Sequence, residues 1–170
     1  MRVSSVVALL LLALSACSDA TAPTLGGPSL FTALVDGMRF VLDPRQTPPV
    51  ANTGAGALFV SEFVGDTSGS RALGFSLPNF HGVGRYALAN APDTGLVTGG
   101  NYSIYAGLLT APLTSFSTDS AHRGEVDITA YDATNQIIVG TFAFEAAEVD
   151  GTRTVRVTHG EFRLHVYPLW

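Results

Sequence analysis

Apolar and polar residues alternate along most of this chain with the two-residue period of strands. Leu30–Val35 and Met38–Leu42 are two such runs separated by Asp36-Gly37. An Asp-Gly pair between apolar runs predicts a tight hairpin, because a type I′ turn needs positive φ at both central positions. Asp43–Gly56 holds three prolines and reads as a long loop, since proline cannot donate to a sheet ladder. Strands follow at Ala57–Val64, Leu73–Leu77, Arg85–Ala89 and Tyr102–Ala106, with turns or loops at "GDTSGS", Pro78–Gly84 and "NAPDTGLVTGG". In "EVDITAY" Val126, Ile128 and Ala130 point to one face, and Glu125, Asp127, Thr129 and Tyr131 to the other. That is the pattern of an antiparallel sheet with one dry face. Asp132–Asn135 turns the chain. Gln136–Ala146 is apolar on both faces, with Ile138, Phe142 and Phe144 opposite Ile137, Val139 and Ala143, and is expected to be a central strand. Asp150-Gly151 makes the next turn.

The last strand region, Thr154–Tyr167, changes parity. Val155 and Val157 are apolar at odd positions, Phe162, Leu164 and Val166 at even ones. A regular strand cannot send both sets to the same face. One extra residue must be absorbed near His159-Gly160, and a glycine-containing bulge does this at low cost. No stretch after residue 17 carries an apolar stripe of helical period and length. About ten strands joined by turns predict an all-β fold, a single antiparallel β-sandwich or flattened barrel over residues 30–170.

The most apolar run lies outside that pattern. Val6–Leu14 is nine apolar residues after Arg2, followed by Ser15-Ala16 and the chain's one cysteine, Cys17. A bilayer-spanning helix needs ~20 residues. A basic start, a short apolar core and small residues are instead the layout of a secretory signal peptide, here residues 1–16. Leu14-Ser15-Ala16-Cys17 resembles the lipobox of bacterial lipoproteins. The resemblance implies a lipid on the Cys17 thiol, cleavage just before it and acylation of the new amine. The alternative is an ordinary signal peptide with an incidental Cys17. With its thiol consumed by lipid the chain can form no disulfide, and a domain of this length needs none. More than one acyl chain is required for stable anchoring, which a diacylated or triacylated Cys17 supplies. Residues 17–29, the lipidated cysteine and "SDATAPTLGGPS", read as a flexible tether. The acid stands at Asp19 and not at Ser18. By resemblance to lipoprotein sorting signals, this favours the outer membrane over the inner one.

Composition changes the picture in one respect. The chain has no lysine, and without Arg2 eight arginines face fourteen acids, a net of −6. Nucleic-acid binding asks for a basic patch, so a nucleic-acid partner is not expected. Missing lysine is the mark of a GC-rich genome.

"FTALVDGMRF", "GRYAL", "GEVDITAYD", "VGTFAFEA" and "VRVTHGEFRL" occur in this order between Phe31 and Leu164. In these motifs the chain resembles a family of uncharacterised bacterial lipoproteins. Their shared pattern is F-x-A-x-V-D-G-x-x-F, G-x-Y, G-T-F-x-F and V-T-x-G-x-F. The resemblance implies a lipoprotein with a β-rich domain and no assigned activity. The shared positions are turn glycines and core aromatics, which a fold requires.

Candidate chemistry is sparse. The histidines are His81, His122, His159 and His165. No G-x-S-x-G stretch accompanies them, so a hydrolase triad has no nucleophile motif. His81 and His122 fall in loops, where a solvated role is expected unless the loops meet at one end of the fold. His159, Glu161 and His165 could be read as metal ligands. On a strand, however, Arg163 would stand between Glu161 and His165 and repel a cation, and zinc wants three or four convergent ligands. They read instead as the polar outer face of an edge strand. "GVGRYA" matches the letters of a dinucleotide fingerprint but precedes a strand and no helix, so Gly82 and Gly84 read as turn residues. "DTSGS" and "STDSAH" lack the spacing of a calcium loop. No catalytic, cofactor-binding or metal-binding residue is expected, and Cys17 is the one modification site. Three function classes follow in order of preference. The first is a noncatalytic lipoprotein of the bacterial envelope that binds a protein or glycan partner through its loops. The second is a lipocalin-like carrier of a small apolar ligand, with Phe59, Phe63 and Phe75 lining a cavity. The third is a hydrolase.

Overall fold

The structure, a computed structural model, describes residues 24–42, 50–54, 56–66, 69–89, 99–107 and 110–168. Cys17 and the apolar run before it lie outside these residues. Every regular element among the described residues is a strand. In chain order they are β1 (Leu30–Val35), β2 (Met38–Val41), β3 (Val50–Gly54), β4 (Ala57–Asp66), β5 (Gly69–Leu77), β6 (Gly84–Leu88), β7 (Gly99–Tyr105), β8 (Pro112–Ser117), β9 (Gly124–Asp132), β10 (Ile137–Glu148) and β11 (Thr154–Pro168).

All eleven belong to one sheet, ordered β2-β1-β11-β3-β4-β5-β7-β8-β10-β9-β6, and β10 pairs with β11 as well. That extra pairing closes the sheet into a ring through β11, β3, β4, β5, β7, β8 and β10. The closing seam between β8 and β10 is short, with Ala147 opposite Ser117 and Glu148 opposite Phe116. The β1–β2 hairpin hangs from β11 and the β6–β9 pair from β10. One pairing, β11 with β3, is parallel, so the sheet is mixed. The architecture is all-β and barrel-like, as expected of a sandwich or flattened barrel, but this parallel pairing departs from the antiparallel sheet expected.

The β1–β2 turn has φ of 49° at Asp36 and 78° at Gly37, the positive pair that a two-residue hairpin demands. β10 is central as expected, flanked by β11 along its whole length and by β9 from Ile137 to Phe144. The parity change in β11 is resolved by a bulge. Phe142 faces Gly160 but Phe144 faces Val157, so one β10 residue opposes two on β11, and β1 shows the same slip between Thr32 and Leu34. His159 takes φ 52°, and Val155, Val157, Phe162, Leu164 and Val166 are all buried.

Four further expectations need correction. Val50–Gly54 is strand β3 and not loop: its residues follow the last proline, so each can donate, and it pairs with both β11 and β4. Pro112–Ser117 adds a strand, β8, whose Thr114, Ser115 and Ser117 hide the alternation. Tyr131 packs against the core although its parity points outward, because β9 has a bulge of its own between Ile128 and Ala130 opposite Val139-Gly140. Phe63 is 52% exposed, with its ring 5.8 Å from that of Tyr105, so it lines no interior space.

The interior is built from aromatic rings. Phe142 packs on Phe31 at 5.2 Å, on Phe75 at 5.4 Å and on Phe162 at 6.2 Å between centroids. These distances are those of offset and tilted ring pairs in contact. Leu58, Leu73, Leu77, Leu88, Ile128 and Ile138 fill the space around them.

Candidate functional site

Strict alternation decides what the outer face over β9, β10 and β11 presents. Glu125 and Asp127 come from β9, Thr141 and Ala143 from β10, Glu161 from β11, and the bulge turns His159 outward beside them. Together with the buried Phe142 and Gly160 at its floor they line an open hollow of about 240 Å³. Arg85, opposite Asp127 on β6, places its guanidinium 3.7 Å from both the Glu125 and the Asp127 carboxylates. These are exposed pairs, which hold little energy.

The other histidines are held by their own neighbours. Tyr86 donates its hydroxyl to the Gly82 carbonyl at 2.7 Å, and the His81 Nδ1 lies 3.3 Å from the same hydroxyl. Asp119 closes the turn before β9: its Oδ1 accepts from the backbone N–H of Ala121 at 2.7 Å and of His122 at 2.6 Å. The His122 Nδ1 is 3.0 Å from the same carboxylate. The His122 backbone N–H, more than the ring, holds the Asp119 carboxyl below its ordinary range. So "STDSAH" folds as a turn whose carboxylate is already used. Gly82 and Gly84 stand at the turn into β6 with φ of 103° and 152°, as their turn reading requires.

His159, Glu161 and His165 do not converge. His159 and Glu161 share the open hollow, while His165 leans on Tyr167 with ring centroids 4.6 Å apart. Among the described residues no group of three or more His, Cys, Asp or Glu could hold a metal ion.

The residue that sequence reasoning missed is the one between them. Arg163 stands on the outward face of β11, opposite Leu30 of β1 and Val139 of β10. It is only 6% exposed, because residues 24–29 fold across it. Its Nη1 donates to the Leu25 carbonyl at 3.1 Å. Gly27, at φ 126°, passes so close that a Cβ there would stand 3.3 Å from Nη2. Nη2 itself is buried with no hydrogen-bond partner. Burial pulls the Arg163 pKa below its ordinary value, though a guanidinium keeps its charge in proteins. Beside it a hollow of about 410 Å³ is lined by Pro28, Leu30, Phe31, Val41 and Leu42, with Thr24 and Ser29 as the polar side chains. Alternation alone placed Arg163 outward; nothing in "TLGGPS" signals that it covers a strand.

These features define an all-β flattened-barrel module with an aromatic core and, among the described residues, a hollow over β9–β11 and another beside Arg163. The chain belongs to the family described as a domain of unknown function (DUF6252), whose model matches residues 63–164. The match starts within β4 and ends within β11, so it includes Arg163 but not the segment that covers it. Comparison with curated proteins gives no match, and comparison with solved structures gives none either.

Proposed function

We propose that this chain is a lipid-anchored lipoprotein of the bacterial envelope, held at the outer membrane through Cys17, whose β domain is a noncatalytic binding or structural module. One observation carries the reading. Leu14-Ser15-Ala16-Cys17 follows a basic residue and a short apolar run, and a β domain begins at Leu30, thirteen residues after the cysteine. The order is leader, attachment point, spacer and folded module. The aromatic packing of the interior supports a surface module over a carrier that holds its ligand inside the barrel. The local engagement of His81 and His122, each by its own turn, supports a noncatalytic role over a hydrolase. Cells expressing the chain are grown with labelled palmitate, and wild type is compared with Cys17→Ala. Label is expected in the wild type and absent from the variant. Equal label in the two would sink the lipoprotein reading.

A further inference from the structure

A buried guanidinium is expensive unless its donors are used. Taking a charge out of water is costly even after relaxation, and a buried donor without an acceptor forfeits its hydrogen bond as well. Arg163 meets both conditions. It is nine-tenths buried, its Nη1 reaches a backbone carbonyl, and its Nη2 reaches no acceptor. Among the described residues it forms no ion pair. Arg163 also forms part of the wall of the 410 Å³ hollow, whose size falls in the range of small-ligand sites. The rest of that wall is mostly apolar: Pro28, Leu30, Val41 and Leu42. The cover over Nη2 is Gly27, next to Gly26, whose Cβ position is open space on all sides. A glycine pair is the least constrained backbone the chain can place there, so the cover can yield to a headgroup of a few atoms.

We infer that this hollow binds an anionic amphiphile, a carboxylate or phosphate headgroup on a short apolar body, with the oxyanion completing the hydrogen bonds of Arg163 and the apolar body lying against Pro28, Leu30, Val41 and Leu42. The chemistry matches part by part. An oxyanion supplies charge and acceptors to Nη2, and charge-assisted bonds of this kind are the strong ones. The apolar walls gain from an alkyl chain what they cannot gain from inorganic phosphate. The inference does not rest on lipidation of Cys17, since the site is made by residues 24–42 and β11.

The test is calorimetric titration of the purified full chain in a non-ionic maltoside detergent, with a detergent blank subtracted, so that it does not depend on whether Cys17 carries lipid. The probes are octanoate and octyl phosphate, with octanol and inorganic phosphate as controls. Binding of octanoate or octyl phosphate, tighter than that of either control, is expected, and the preference between the two tells carboxylate from phosphate. Arg163→Met is expected to weaken binding roughly 10- to 100-fold. It should leave the ligand-free melting temperature unchanged or raised, because it removes a buried charge that lacks a full set of partners. Val41→Trp, which keeps the guanidinium and fills the hollow, is expected to lose binding too. Four results would overturn the inference: no binding of either amphiphile to the folded wild type, equal affinity in Arg163→Met, inorganic phosphate bound as tightly as octyl phosphate, or a lower melting temperature for Arg163→Met. The last would make Arg163 a structural clamp for residues 24–29.

Discussion

His159 and Gly160 divide the work of one bulge in an unusual way. The left-handed residue of such a bulge is commonly glycine, yet here it is His159, at φ 52°, and the glycine comes next. Packing explains the order. A Cβ on Gly160 would lie 2.5 Å from the Phe142 carbonyl oxygen and 2.6 Å from its ring, so Phe142 lies over Gly160 and admits no side chain. His159 bears the conformational cost, about 1–2 kcal/mol for an L-residue. Gly160→Ala is therefore expected to destabilise the fold by about 1–3 kcal/mol through overpacking. His159→Gly should be neutral or stabilise by up to about 1 kcal/mol, its gain offset in part by the unfolded-state freedom of glycine. Chemical denaturation of both variants checks this; equal midpoints for Gly160→Ala and wild type would contradict the packing account. The bulge was legible because the parity of apolar residues changes across a glycine. The bulge at Thr129 in β9 was not, because no glycine marks it and Ala130 is too small to declare a face. Arg163 was legible as outward-facing and illegible as buried. Its covering segment is short, polar and glycine-rich, which in sequence is indistinguishable from a spacer.

At the scale of elements, the turns are held by carboxylates that bind their own backbone. Asp132 accepts from the N–H groups of Thr134 and Asn135, both at 2.9 Å, between β9 and β10. Glu148 holds Arg153 across the β10–β11 turn, with Nε donating at 3.0 Å. Asp119 does the same before β9. Each carboxyl is shifted below its ordinary value, 3.8 for the aspartates and 4.5 for Glu148. The first cause is the backbone N–H of His122 for Asp119, the backbone N–H of Asn135 for Asp132, and the Arg153 side chain for Glu148. A depressed folded pKa contributes stability that is present above the unfolded value and lost as pH falls through the folded one. The melting temperature should hold from neutral pH down to about pH 5 as far as these groups decide it, and fall below about pH 4. Asp119→Asn with Asp132→Asn should flatten that fall, measured by thermal melts from pH 2 to 7. Identical slopes in variant and wild type would contradict the assignment. Strands with bulky alternating residues, such as β9 and β10, were readable from period alone. β3 was hidden behind Pro44, Pro48 and Pro49, and β8 carries only Leu113 and Phe116 as large apolar residues.

For the whole molecule, the sheet order was not readable in the sequence, since the pairing of β11 with β3 or of β8 with β10 joins segments far apart in the chain. What joins them is the shared interior: Phe31 from β1, Phe75 from β5, Phe142 from β10 and Phe162 from β11 meet as one ring cluster. Among the described residues, the closed ring with its two attached strand pairs ends on short strands, β2 and β6, four and five residues long. Short edges limit strand-to-strand aggregation, which fits the proposal that the module is held on a membrane. The central claim is that this module is carried there by lipid on Cys17. Mass spectrometry of the N-terminal peptide, from chain purified out of the membrane fraction, tests it most directly. The account predicts a peptide beginning at Cys17 and heavier than its sequence by a thioether-linked diacylglyceryl group, with or without a third acyl chain on the amine. A peptide carrying an unmodified Cys17 thiol, or a mature chain beginning at any other residue, would contradict it.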